Sequence, residues 1–282
     1  MTLYDLLNKG SAALQQAGDT DGENDAKLLL FEALHLDLVH FLMDRLRPLS
    51  EQDAKVQEQI RTYREMIEKR ASRIPLQQIL GSQEFMGLTF RVTPDVLIPR
   101  QDTETLVEQV LQEQKDPDIR LLDLCTGSGC VIVSILHNVS DVEGYAVDIS
   151  KQALNVAKEN ARLNDVPVLF EHSDLFDHVT GTFDVIVSNP PYICTDEIAK
   201  LMPEVRDFEP MEALDGKEDG LYFYRKIIGQ CKQYLNPEGH LLFEIGYDQG
   251  QKVSALMREI GFHDVQVIKD LARKDRVVTG ML

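Results

Sequence analysis

Asn189-Pro190-Pro191-Tyr192 follows the apolar run Phe183-Asp-Val-Ile-Val-Ser188, so an amide side chain and donor-free carbonyls meet at the end of a strand. Proline has no N–H and fixes φ at about −65°, so the peptides around Pro190 and Pro191 offer acceptors aimed in one direction. A planar NH2 group presents two donors, and converging oxygens are its complement. The Asn189 side chain adds another oxygen, so Asn189 and Pro190 are the candidate catalytic pair, with Pro191 and Tyr192 as further substrate contacts. A Pro-rich turn closing a buried strand is the bland use of the same residues.

A second constellation lies upstream. Leu121-Leu-Asp-Leu-Cys-Thr-Gly-Ser-Gly129 reads as a strand entering a glycine turn, with a helix from Gly129 onward. Backbone N–H groups at the start of such a helix bind ligands, and Asp123 stands close enough to orient a cationic group. Asp148 ends the next strand about 20 residues on, where an acidic side chain reaches the ribose hydroxyls of an adenosine ligand. The third glycine of the dinucleotide fingerprint is replaced by Ile132, which argues against NAD. S-adenosylmethionine fits better, having no pyrophosphate and carrying an ammonium and a sulfonium that suit acidic neighbours. Asp174 follows the third strand, where Ile149 and Leu175 would flank adenine; a turn cap is its other use.

The elements that must carry these residues fall into two groups. The first 80 or so residues show only helical periodicity (Leu3, Leu6, Leu7, Ala13, Leu14; Leu28, Leu29, Phe31, Leu34), giving four or five helices. Ser50, Glu51 and Asp53 read as a helix start, with an apolar stripe on Val56, Ile60, Tyr63, Met66 and Ile67 and an end at Pro75. A hairpin is expected over Phe85 to Val92. Strands and helices then alternate: Arg120–Leu124, Gly144–Val147, helix Lys151–Leu163, Val168–Glu171 and Phe183–Ser188, which specifies a parallel α/β sheet. Gly239–Ile245, Val265–Ile268 and Arg276–Val278 complete it, the last two too close for a crossover and therefore antiparallel. The boundaries read as a helical domain at 1–83, a linker at 84–98 and an α/β domain at 99–282.

Composition narrows the function classes. A formal net charge of −18 over 282 residues argues against a protein whose main task is gripping nucleic acid, which needs clustered Lys and Arg. No apolar run approaches the ~18 residues of a membrane span, and the start lacks a signal pattern, so a cytoplasmic protein is expected. Cys125, Cys130, Cys194 and Cys231 form no Cys-x-x-Cys pair, so reduced thiols and no metal site are expected.

The order of glycine turn, ribose acid and amide clamp resembles class I S-adenosylmethionine-dependent methyltransferases. More closely, the chain resembles the PrmC/HemK family of protein-(glutamine-N5) methyltransferases, which act on peptide chain release factors. Nearly the whole chain carries the likeness: Pro75-Leu-Gln-Gln-Ile-Leu-Gly81, Glu84-Phe-Met-Gly-Leu88, Val96-Leu-Ile-Pro-Arg-Gln-Asp-Thr-Glu104, Ser188-Asn-Pro-Pro-Tyr-Ile193 and Glu209-Pro-Met-Glu-Ala-Leu214. The resemblance implies a helical domain that helps hold the release factor, a hairpin linker and a Rossmann-like seven-stranded catalytic sheet. It places the cofactor on Cys125, Thr126, Gly127, Ser128, Gly129, Asp148, Leu175 and Asn189, and the substrate glutamine on Asn189 to Tyr192. Cys125 stands where glycine is common, Leu175 where some members carry tryptophan, and Lys217-Glu218 and Arg273-Lys274 where loops are richer in glycine.

Other readings stay open. The tetrapeptide also serves N6-adenine methyltransferases of DNA or RNA; a ribosomal protein is another glutamine substrate, and a non-catalytic factor binding release factors is a third class. Arg100 suits a ligand carboxylate or an ion pair with Asp102 or Glu104. His35 and His40 read as helix-surface residues, Tyr222-Phe-Tyr224 as core or groove, and Glu244 as a cofactor-edge or buried hydrogen-bonding group.

Overall fold

The computed structural model describes residues 1–50, 52–113, 118–139 and 142–282. The chain divides into two compact units, one of Met1–Gly81 with Pro203–Phe208, the other of Ser82–Met202 with Glu209–Leu282.

The first unit contains helices Leu3–Gln16, Gly22–Leu34, Leu38–Asp44, Ala54–Ala71 and Leu76–Leu80. Thr2 and Asp5 form a capping box at the first, and Asp37 accepts from His40 N at 2.8 Å at the third. Asp53 caps the fourth, so the helix starts later than Ser50 suggested; Glu51 lies outside the described residues. That helix stops at Ala71, with Ser72 as its C-cap and Arg73 left-handed at φ 71°, so Pro75 is not its terminator but the N-cap of the next helix. Ile60, Tyr63 and Ile67 bury the expected stripe against Leu6, Leu14, Leu29 and Leu30. His40 is a surface residue paired with Asp37, and His35 closes the second helix in a left-handed conformation.

A charged cluster occupies the same unit. The Arg70 guanidinium, 6% exposed, meets Asp25 at 2.6 Å, Asp19 at 3.0 Å and Glu204 at 3.0 Å, while Arg73 reaches the other Glu204 oxygen at 2.6 Å. Nothing in the sequence pattern assigned Pro203–Phe208 to the helical unit. Its short turn of helix, Pro203–Arg206, brings Glu204 there, and Gln78 donates to the Phe208 carbonyl at 2.9 Å.

The second unit opens with hairpin strands β1 (Ser82–Phe85) and β2 (Leu88–Arg91). Its main sheet comprises β3 (Arg120–Leu124), β4 (Glu143–Asp148), β5 (Leu169–His172), β6 (Phe183–Ser188), β7 (Leu235–Glu244), β8 (His263–Lys269) and β9 (Asp275–Met281), ordered β5-β4-β3-β6-β7-β9-β8. β9 runs antiparallel to both neighbours and the other pairings are parallel; the short loop required this of β8 and β9, while the antiparallel pairing of β7 with β9 had no such signal. β3 and β6 are buried on both faces, which is why they read as near-continuous apolar runs, whereas the edge strands β5 and β8 are partly exposed. Leu122, Leu124, Ile186 and Phe243 pack with helices Tyr222–Cys231 and Gly250–Glu259; Leu121, Val185, Val187 and Leu242 pack with helices Gln101–Glu113 and Cys130–Asn138. Ile132 is accommodated because strand residue Gly144 supplies the space: a Cβ there would lie 3.3 Å from Ile132 Cδ1 and collide with Leu136.

Strand order reverses at β3, whose two neighbours are β4 and β6. The glycine turn, Asp148 and Asn189 follow these three strands, so all emerge at one carboxyl edge, where open α/β sheets bind ligands.

Candidate active site

The turn after β3 alternates in hand. Cys125, Gly127 and Gly129 have φ of 60°, 54° and 78°, a conformation that only glycine adopts without cost. A Cβ at Gly127 would meet nothing within 4 Å, so that side is open to a ligand; at Gly129 it would sit 3.1 Å from Ala157 Cβ. The turn is bound into the sheet: Thr126 N donates to Val147 O at 3.1 Å and Gly129 N to Thr126 O at 2.8 Å. Asn160, fully buried, donates to Ser128 O at 2.9 Å and to Arg91 O at 3.0 Å, and accepts from Arg91 N at 2.7 Å, so it joins the hairpin to the glycine turn. Sequence reading passed over it. The signal was present: an amide on the buried face of helix Lys151–Leu163, otherwise Ala153, Leu154, Val156, Ala157 and Ala161.

Asp148 accepts from Gly127 N through Oδ2 and from Ser150 N through Oδ1, both at 2.8 Å, which fixes the carboxylate across the strand end. Burial raises its pKa above the ordinary carboxylate value. Asp123 accepts from the Thr126 hydroxyl at 2.6 Å; burial pushes its carboxyl up to about 7, opposed by that hydrogen bond and reinforced by the Asp148 charge.

A cleft of about 340 Å³ opens along this edge. Cys125, Thr126, Gly127, Ser128, Asp148, Leu175 and Asn189 all line it, as do Asp123, Ile149 and Asp174. Gly129 does not; it serves the packing of the turn against Ala157. Of the tetrapeptide, Asn189 and Pro191 reach the cleft, whereas Pro190 is buried between them. Tyr192 points away, with its hydroxyl donating to Glu244 Oε1 at 3.3 Å. Glu244 thus has a buried hydrogen-bonding partner, and burial raises its carboxyl pKa against the opposing effects of Thr103 and Arg276.

Several further residues take partners or places that the sequence left open. Arg100 pairs with Glu209 at 2.6 Å, because Asp102 is drawn to Arg276 at 2.9 Å and Glu104 accepts from Met86 N at 2.8 Å. Tyr222 and Phe223 line the cleft while Tyr224 is fully buried, donating to Glu244 O at 2.9 Å. Residues 210 to 217, which close the far side through Pro210, Glu212, Ala213, Asp215 and Lys217, carried only a family likeness. Among the described residues no group of His, Cys, Asp and Glu is arranged to hold a metal ion, and no helix is long and apolar enough to cross a membrane.

The arrangement is echoed in other proteins. The family described as the PrmC N-terminal domain matches residues 5–81, and the methyltransferase small domain matches residues 101–203. A release factor glutamine methyltransferase of Clostridium botulinum is 42% identical over 285 residues, covering 99% of this chain and 98% of its own. One of Geobacter sulfurreducens is 38% identical, covering 100% and 97%. The crystal structure of a methyltransferase from Pyrococcus furiosus superposes with a TM-score of 0.54 at 18% identity, covering 76% of this chain and 98% of that one, a likeness of fold. The length and level of the sequence match, together with a glycine turn, a strand-end acid and an Asn-Pro-Pro-Tyr turn on one edge, establish that the chain belongs to the family of release factor glutamine methyltransferases.

Proposed function

We propose that the protein transfers a methyl group from S-adenosylmethionine to the side-chain amide nitrogen of the glutamine in the Gly-Gly-Gln motif of class I peptide chain release factors, in the cytoplasm. The observation that carries this reading is the meeting, in one cleft, of the Asp148-braced glycine turn and the Asn189 amide. The residues fit the cofactor. Gly127 leaves open space where a side chain would stand, Asp148 retains acceptor capacity toward a ribose, and Ile149 and Leu175 offer apolar surface to a base. Asp123 supplies an acidic partner for a ligand cation.

Bound S-adenosylmethionine provides a methyl group already activated by its sulfonium. The protein's task is therefore to present a weak nucleophile, since the lone pair of a glutamine nitrogen is delocalised into its carbonyl. The Asn189 Oδ1 and the Pro190 carbonyl, which belongs to the peptide bond leading into cleft-lining Pro191, accept the two amide N–H bonds and turn the nitrogen toward the donor. They stabilise the positive charge it gains as the methyl–sulfur bond breaks, leaving S-adenosylhomocysteine, until one N–H proton is lost to water. Fixed dipoles and proximity supply the acceleration, with the prolines preventing the acceptors from turning away. Incubating the protein with labelled methyl donor and an intact release factor, a Gly-Gly-Ala variant of that factor, or duplex DNA tests the reading. Label is expected only on the intact factor, and label on DNA alone would overturn it.

Asp123 gives the site a pH signature. Its raised carboxyl keeps a proton in the folded protein that the unfolded chain has already lost. Stability without ligand therefore falls as pH rises from the ordinary carboxylate range through about 7 and levels off above it. A ligand cation favours the ionised form, so donor affinity is expected to rise by up to about tenfold per pH unit below 7, becoming flat above. Calorimetry at pH 6 in buffers of different ionisation enthalpy should show a proton released on binding, and Asp123→Asn should abolish it. A proton count indifferent to that substitution would place the titration elsewhere.

A further inference from the structure

The peptide after the Asn-Pro-Pro-Tyr turn is gripped from several sides. Gln249, 5% exposed, uses its whole amide: Nε2 donates to Tyr192 O at 3.0 Å and to Gly220 O at 3.2 Å, while Oε1 accepts from Gly246 N at 2.9 Å and from the Tyr224 hydroxyl at 3.4 Å. Two glycines close on the same peptide. A Cβ at Gly216 would lie 2.6 Å from Tyr192 Cα, and one at Gly220 would collide with Tyr192 O. Ile193 N donates to Leu214 O at 3.0 Å and Gly216 N to Ile193 O at 2.8 Å, completing the grip.

We infer that Gln249 is a positioning residue for methyl transfer, fixing the Tyr192 carbonyl and through it the direction of the Asn189 acceptors. Two prolines separate Asn189 from Tyr192, and their locked φ angles remove two of the rotations by which the segment could absorb a shift. Rotation at Tyr192 therefore reappears at Asn189, where a misplacement of about 1 Å costs on the order of 10² in rate. Gln249 also occupies the Tyr192 carbonyl, which leaves the acceptors upstream of it for the substrate amide. Gln249 does not line the cleft, so its effect on chemistry runs through the backbone it holds, the Tyr192 carbonyl and the Gly220 carbonyl that leads into cleft-lining Tyr222 and Phe223.

The inference rests on the proposed glutamine methylation, and its test keeps the two separable. Wild-type methylation of a release factor examines the activity; Gln249→Glu and Gln249→Met examine the positioning. Glutamate keeps the shape but turns an oxygen on two carbonyls, and methionine keeps the volume without hydrogen bonds. In variants that still bind labelled S-adenosylmethionine, kcat should fall by about 10-fold to 100-fold. KM for the release factor and the donor dissociation constant should stay within about twofold. Gly220→Ala, which presses the same carbonyl from the other side, should give the same split. If wild-type methylates its factor while a donor-binding Gln249 variant keeps its kcat, or loses KM and kcat in proportion, the positioning role is wrong. Loss of donor binding in both variants would also overturn it, making Gln249 a folding residue.

Discussion

Asn189→Ala is expected to lower kcat on a release factor by roughly 10² to 10³, the usual consequence of deleting one preorganised polar partner of a developing charge. The substitution removes the one side-chain acceptor of the turn and leaves the strand and the prolines that follow it in place. Ser188 beneath it still donates to Leu124 O at 2.7 Å, so the strand end keeps its hydrogen bond. On the proposed reading Asp148 and the glycine turn hold the donor together with Asn189, so the donor dissociation constant should change far less than kcat. Single-turnover methylation with saturating donor isolates the chemical step. Near-normal turnover would remove Asn189 from the chemistry and leave the carbonyls as sole acceptors. Asn189→Asp, which keeps an acceptor oxygen at the same place, should lose less turnover than Asn189→Ala.

The second large effect lies away from the chemistry. Arg70→Met should destabilise the helical unit by about 3–5 kcal/mol, because it strands Asp19, Asp25 and Glu204 in a buried site with Arg73 as the remaining cation. Burial already raises the Asp25 carboxyl against the pull of Arg70. Without that guanidinium, protonation of the carboxylates becomes the cheaper state, and the loss should shrink as pH falls. Hydrogen exchange in helices Gly22–Leu34 and Ala54–Ala71 is the suitable probe, since it follows this unit alone. Exchange unchanged from wild type would mean that water or rearrangement satisfies the carboxylates. Arg61, exposed and paired with Glu58, is the control expected to have little effect.

Elements with strong local signals were legible. Phe183–Ser188 and Lys151–Leu163 have the bounds their patterns suggested, the helix because Ser150 caps it by accepting from Ala153 N at 3.2 Å. β7 begins at Leu235 rather than Gly239, because Asn236-Pro-Glu-Gly looks like a turn. The structure resolves the conflict with a register shift against β6. Partners distant in sequence were out of reach: Glu209 for Arg100, Arg70 for Glu204, Gln249 for Tyr192. Local periodicity carries no information about which charges meet. The departures from the family pattern share one physical trait. Cys125, Lys217 and Arg273 have φ of 60°, 70° and 62°, so they hold left-handed conformations that glycine adopts freely, at a cost of about 1–2 kcal/mol each. Residue identity names the site; the sign of φ emerges only with the fold.

The placement of Pro203–Phe208 bears on how the chain comes off the ribosome. The helical unit is synthesised first, yet Glu204 and the Phe208 carbonyl belong to it. At ~5–20 residues per second, these arrive roughly 6 to 25 s after Gly81. Until then Arg70 and Arg73 must wait beside Asp19 and Asp25 without their third carboxylate. The portion made first is therefore not the portion finished first, and cutting the chain after Gly81 would free a helical unit still missing one of its own pieces.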